Sequence, residues 1–236
     1  MQPRVTGSIL VLAAAAALAA CTDSDNPVAT PTANTTVRFF NATGDLTLDV
    51  AQNGTVGSGN GNIPSGSAGA CIKVNDANPQ LSIRAAGTTS DLTGFTPSFS
   101  AGNTYTVLVT GTATAPVFTT FDDQFTPAGA NTAGVRIVNA TMSAGAGTWD
   151  IYVNPSATLG TPNATAVTRN SASPFLTVPA GQTNTVRLTS AGQTVRLQDI
   201  AVPSLAPGTA TSIVVTDPVT VAGTVLEAFM LPPCPI

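Results

Sequence analysis

Histidine, the commonest general base and metal ligand near neutral pH, is absent from this 236-residue chain. Nucleophilic hydrolysis needs a nucleophile, a base and a group that orients the base. There is no Gly-x-Ser-x-Gly turn, and a serine such as Ser65 or Ser67 would have to work with Lys73, the only lysine. That pair has no third member, so Ser65, Ser67 and the many threonines read as turn and strand-surface residues. Carboxylates for glycoside chemistry must stand about 5–9 Å apart across a cleft. Asp122 and Asp123 point to opposite sides of an extended chain, and Asp49 and Asp150 occupy matching places in two similar segments. An aspartate opening a strand is expected to cap a turn by accepting from backbone N–H groups. Calcium could draw on Asn75-Asp76-Ala77-Asn78 or on Asp122-Asp123, but neither has the spacing of a calcium loop. Gly57-Ser58-Gly59-Asn60-Gly61 lacks the helix that must follow a phosphate cradle and reads as a flexible hairpin loop. No catalytic residue, metal site or cofactor is expected, and the chain reads as a non-enzyme.

Recognition chemistry has one aromatic stretch to draw on. Trp149 and Tyr152 fall on opposite faces of a strand Trp149-Asp150-Ile151-Tyr152. Either ring, exposed, would offer a platform for a sugar; both could equally fill core or interdomain space. They are the candidate ligand-binding residues.

The three cysteines divide into one and two. Cys21 directly follows Leu18-Ala19-Ala20, which ends an apolar run from Ile9 behind the basic Arg4. A charged start, an apolar middle and a small-residue end make a secretory signal. The run is shorter than the roughly 20 residues a membrane span requires. Leu-Ala-Ala-Cys resembles the lipobox of bacterial lipoproteins. That resemblance implies that residues 1–20 are removed, that Cys21 is acylated, and that the lipid holds the protein on a membrane. Each buried methylene would contribute about 0.8 kcal/mol to such an anchor. Thr22, standing where an aspartate would favour inner-membrane retention, points to the outer membrane, with a periplasmic or surface-facing body. Cys71 and Cys234 remain. In an exported chain they suit a disulfide, two buried thiols, or a reactive thiol helped by Lys73. A bridge would tie the tail to the first half of the chain and contribute on the order of 4–5 kcal/mol by loop-closure entropy.

Eight Lys and Arg against twelve Asp and Glu give a net charge of −4, and charged residues make up only 8% of the chain. Nucleic acid needs clustered basic residues, so it is excluded as a partner. Gly, Pro, Thr, Ser, Asn and Val dominate, which favours strands and turns over helices. Residues 21–35, rich in Pro, Thr and Asn, read as the lipidated end and a disordered tether.

From Thr36 the same strands occur twice. Val37-Arg38-Phe39-Phe40-Asn41-Ala42-Thr43 returns as Val135-Arg136-Ile137-Val138-Asn139-Ala140-Thr141. Asp49 to Asn53 returns as Asp150 to Asn154, Cys71 to Val74 as Phe175 to Val178, and Thr104 to Thr110 as Ala210 to Thr216. The spacing between matching segments widens steadily along the chain, as small loop insertions in the second copy would produce. The copies occupy 36–128 and 132–236, the latter with a C-terminal tail. Each is expected to form an all-β, antiparallel, immunoglobulin-like sandwich of about seven short strands. The two are expected to pack end to end or at an angle. Val219–Leu231 reads as a strand closing the second.

Val-Arg-x-x-Asn-Ala, Asp-Ile-Tyr-Val-Asn, Val-Pro-Ala-Gly at 178–181 and Ala-Gly-Asn-Thr-Tyr-Thr-Val at 101–107 resemble the DUF4397 family. The family comprises exported bacterial β-sandwich modules of unknown function, often in tandem and lipid-anchored. The resemblance implies a non-catalytic cell-envelope protein with a structural or recognition role. The alternative is an adhesin-like or carbohydrate-binding surface module, with a glycan or envelope protein as partner.

Overall fold

Runs of β-branched and aromatic residues set between Gly, Pro and Asn fold here as strands, each ended where a turn residue takes over. The structure is a computed structural model and describes residues 35–74, 80–92, 95, 98–142, 147–217, 226–232 and 234–235. The expectations for residues 1–34, Cys21 among them, and for Asn75-Asp76-Ala77-Asn78 lie outside the described residues. Among those described, no helix is long and apolar enough to cross a membrane.

The first half holds β1 (Thr35–Asn41), β2 (Leu48–Gln52), β3 (Thr55–Val56), β4 (Ser67–Ala68), β5 (Ile72–Val74), β6 (Leu81–Ala85), β7 (Thr104–Thr112) and β8 (Ala115–Asp122). The second holds β9 (Thr132–Asn139), β10 (Trp149–Val153), β11 (Ala164–Val167), β12 (Ser171–Ala172), β13 (Leu176–Pro179), β14 (Asn184–Ser190), β15 (Arg196–Val202), β16 (Ala210–Thr216) and β17 (Glu227–Leu231). Thr35, assigned to the tether on sequence, is the first residue of β1. Only Glu227–Leu231 of the expected C-terminal strand is described, as β17.

Each half is a two-sheet sandwich. In the first, β3-β2-β6 faces β4-β1-β7-β8, with β5 also on β1; in the second, β11-β10-β14-β15 faces β12-β9-β16-β17, with β13 also on β9. The all-β sandwich expectation holds with one refinement. The central pairs β1/β7 and β9/β16 run parallel, matching Phe39 to Val107 and Ile137 to Ile213.

Of the two packings expected, end to end or at an angle, the first is not found: the halves meet through the faces of two sheets. Val37, Phe39, Val107 and Val109 face one sandwich core, and Val135, Ile137, Ile213 and Val215 face the other. The intervening Phe40, Leu108, Val138 and Val214 form a third core with Leu231, packing sheet β4-β1-β7-β8 against sheet β12-β9-β16-β17. Thr32–Ile236 is one compact unit for this reason. The physical cause is in the strands. A strand with one wet face alternates apolar and polar residues, whereas Phe39-Phe40, Ile137-Val138 and Val107-Leu108-Val109 put apolar side chains on both faces.

Gly134 illustrates how closely the connection between halves is packed. A Cβ there would lie 2.6 Å from Cε2 of Phe125, so the ring rests on the bare backbone of β9. The Gly57–Gly61 loop is pinned, contrary to its expected flexibility. Asn60 is buried, its carbonyl accepts from Val50 N–H, and Gly59 O accepts from Ala70 N–H.

Candidate functional site

The polar residues that mark the repeat hold loops. Asn41 ends β1 and donates through Nδ2 to Leu46 O at 2.6 Å and Ile63 O at 2.9 Å. Its Oδ1 accepts from the N–H and hydroxyl of Thr43 at 3.0 and 2.7 Å. Asn139 ends β9 in the same way, donating to Gly147 O and Val167 O and accepting from the N–H and hydroxyl of Thr141. Asp49 accepts from the N–H groups of Asn62 and Gly87 at 2.7 and 3.1 Å. Asp150 accepts from those of Ala166 and Gly192 at 3.0 and 2.8 Å. Each carboxylate thus clamps two loops, which is the turn-capping role the sequence suggested.

The arginines of the same motif do something the sequence did not reveal. Arg38 on β1 reaches across the third core and donates to Pro232 O at 2.6 Å, with a longer contact to Thr106 Oγ1 at 3.5 Å. Arg136 on β9 donates to Asp122 O at 2.7 Å and Ser212 Oγ at 2.8 Å, and pairs with the Asp123 carboxylate. The strand registers make these two sets equivalent. Asp122 lies opposite Tyr105, and Leu231 lies opposite Ser212, so Pro232 in the second half stands where Asp122 stands in the first. The contact between halves is therefore pseudo-twofold. The symmetry fails at one charge, because the next residue is Asp123 in the first half and Pro233 in the second.

Asp123 consequently serves both arginines, bonded to Arg136 directly and to Arg38 through the Thr106 hydroxyl, which donates to Asp123 Oδ2 at 2.7 Å. All three ionic side chains are at most 7% exposed. Burial pushes the Arg38 guanidinium below its ordinary value; Asp123 opposes that shift and neighbouring Arg136 adds to it. Arginine stays charged regardless. Phe175 and Phe121 stack on the Arg136 guanidinium, with ring centroids 4.7 and 5.4 Å from Cζ. A void of about 10 Å³ beside Arg38, Asp123 and Ser212 has room for about one water. This cluster binds the halves together. Asp123 is spent on it, and Asp122 accepts from the Asn103 amide and Gln124 N–H, so each carboxylate already has partners of its own.

Two open recesses stand out among the described residues. One, about 510 Å³, runs between β8 and the segment Asn170–Phe175 and has Arg136 in its lining. The other, about 380 Å³, lies by β2, β3 and β5 and includes Lys73 and Cys71. Among the described residues, no three His, Cys, Asp or Glu side chains gather as a metal site.

The aromatic candidates are corrected. Trp149 is fully buried among Ile151, Val186 and Leu188 in the core of the second sandwich, and Tyr152 is only 7% exposed. Neither offers a ring face to a ligand, because both side chains are packed away from solvent. Of the readings open for Cys71 and Cys234, the disulfide is the one found, with Cα atoms 5.9 Å apart across 163 positions of sequence. Sequence reasoning missed the Arg38–Asp123–Arg136 cluster, although one signal was present. An arginine between apolar neighbours in a strand that shows no alternation has no wet face to point to.

No curated protein matches this chain. Among solved structures, it is similar to the carbohydrate-binding module CBMbc (family CBM26) of Eubacterium rectale Amy13K, solved in complex with maltoheptaose, at 10% identity. That alignment covers 86% of this chain and 98% of the other with a TM-score of 0.27, too low to bear on fold or ligand. The family model of DUF4397, a domain of unknown function, matches residues 35–146, which span β1 to β8, the connection and β9. Residues 35–146 accordingly contain a DUF4397 domain.

Proposed function

We propose that this chain is a non-catalytic, lipid-anchored protein of the bacterial cell envelope, outer-membrane in location. It is built of two modules of the same kind, at 36–128 and 132–236, and has a structural or recognition role. The observation that carries the reading is the fate of the repeated polar residues. Asn41, Asn139, Asp49, Asp150, Arg38 and Arg136 all make hydrogen bonds that hold loops or join the halves. The repeated motif is accounted for by architecture. Cys71–Cys234 adds covalent closure of the kind suited to an exported chain. Leu18-Ala19-Ala20-Cys21 supports the anchor. The test is metabolic labelling with alkyne-palmitate in a bacterial host. Wild type is expected in the membrane fraction, labelled, and Cys21→Ser unlabelled and unprocessed. An unlabelled, soluble wild-type protein would overturn the anchor.

A further inference from the structure

We propose that the recess between β8 and Asn170–Phe175 is a binding trough for a short, uncharged oligosaccharide. The inference gives the recognition branch of the function above a ligand class and a place, and it does not depend on the lipid. The recess is shallow and open to solvent, about 510 Å³ in all, so it suits a ligand that lies along the surface. Its walls carry the hydroxyls of Thr119, Thr120, Ser171 and Ser173 and the rings of Phe121 and Phe175. Short hydroxyl side chains lose little entropy on binding and suit the hydroxyls of a sugar, while half-buried rings suit its C–H face.

Charge narrows the ligand further. The only ionic side chains in the lining are Asp122 and Arg136. Arg136 is neutralised by Asp123, and Asp122 is engaged by Asn103 and Gln124 N–H. A phosphorylated or strongly charged ligand therefore finds no uncommitted counter-charge.

Among the described residues, the place related to the trough by pseudo-symmetry is built differently. Leu176 lies opposite Val135 and Ile72 opposite Val37, so the residue equivalent to Phe175 is Cys71. There the Cys71–Cys234 bridge takes the place of the ring. One ligand per chain is the consequence.

The experiment is an amide-shift titration of the chain from Thr22 onward with cellohexaose, chitohexaose, maltohexaose and laminarihexaose, each to about 10 mM, which reaches millimolar Kd values. One of the four is expected to saturate at one site per chain, moving amides of Thr119–Asp122 and Asn170–Phe175. Thr120→Arg, on an exposed strand position, fills the trough and should weaken binding at least about tenfold, while its spectrum shows the fold intact. Thr55→Arg, at the other recess, should leave binding unchanged. The proposal is overturned if no hexasaccharide saturates, if Thr120→Arg binds as wild type does, or if the shifts map elsewhere. It is also overturned if an extended Thr/Val octapeptide moves these amides and the sugars do not, which would assign the free edge of β8 to a peptide. None of these failures touches the labelling result at Cys21.

Discussion

Asp123 is the carboxylate on which two buried guanidiniums depend, and removing its charge tests the account of how the halves are joined. Asp123→Asn keeps the side chain's size and its contact with the Thr106 hydroxyl but leaves Arg38 and Arg136 uncompensated. Breaking a buried ion pair by deleting one partner costs about 3–5 kcal/mol. In a domain of this size each kcal/mol lowers Tm by about 2–4 °C, so a fall of roughly 6–20 °C is expected. The two arginines should behave differently despite their pseudo-symmetry. Arg136→Met strands a buried carboxylate and should cost about as much as Asp123→Asn. Arg38→Met removes a buried charge that has no carboxylate bonded to it, and apolar replacement of such a group is often near neutral. Its loss of the bond to Pro232 O should leave the net change within about 1 kcal/mol. Added to Asp123→Asn, Arg38→Met should restore part of the lost stability. The assay is urea and thermal unfolding followed by circular dichroism and by Trp149, the single tryptophan. A cost below about 1 kcal/mol for Asp123→Asn, or equal costs for Arg38→Met and Arg136→Met, would refute the reasoning.

The Cys71–Cys234 bridge closes a 163-position loop, so Cys71→Ser/Cys234→Ser should lose on the order of 4–5 kcal/mol. Reductant should lower the Tm of wild type and leave the double variant unmoved; a wild-type Tm indifferent to reductant would contradict this. Asp150→Ala deprives the Ala166 and Gly192 N–H groups of their acceptor. It should cost about 1–2 kcal/mol and speed hydrogen exchange at those two amides ahead of the rest; uniform exchange would count against the clamp. The Asp199 carboxyl is held below the usual carboxylate range chiefly by its hydrogen bond from Arg187, with Arg196 contributing. Its stabilisation is therefore complete above the unfolded value near pH 4 and fades as pH falls through the lower folded value. Asp199→Asn should flatten that part of the acid limb of a Tm–pH curve, and an unchanged limb would count against the ion pair.

The fold class and the repeat were legible because they reside in local pattern. Asn-Ala-Thr after a strand and Asp at the start of the next reappear with the same hydrogen bonds in both halves, since a turn is specified by the residues within it. What escaped was set by surfaces meeting at long range. Trp149 and Tyr152 lie on opposite faces of β10, and alternation alone cannot say that both faces are covered. The parallel pairing of β1 with β7 depends on the whole chain between them. Arg38 and Arg136 follow valines in strands, a pattern that normally places a charge in water. Only the consecutive apolar residues at Phe39-Phe40 and Ile137-Val138 signalled that these strands have no wet face. The trough escaped for the same reason, because its two walls come from different halves.

The position of β1 determines how the protein responds to tension. The described chain begins at Thr35 with β1, which is bonded to β4 and β5 on one side and to β7 on the other. A pull along β1 from the preceding segment loads all three ladders in shear at once, so their bonds must fail together rather than unzip one by one. The side chains of the strand are keyed into two cores, Phe39 into one and Phe40 into the other. Arg38 is meanwhile fastened to the tail that Cys234 bolts to Cys71. A load applied at β1 is thus shared between two cores, three ladders and a covalent bridge.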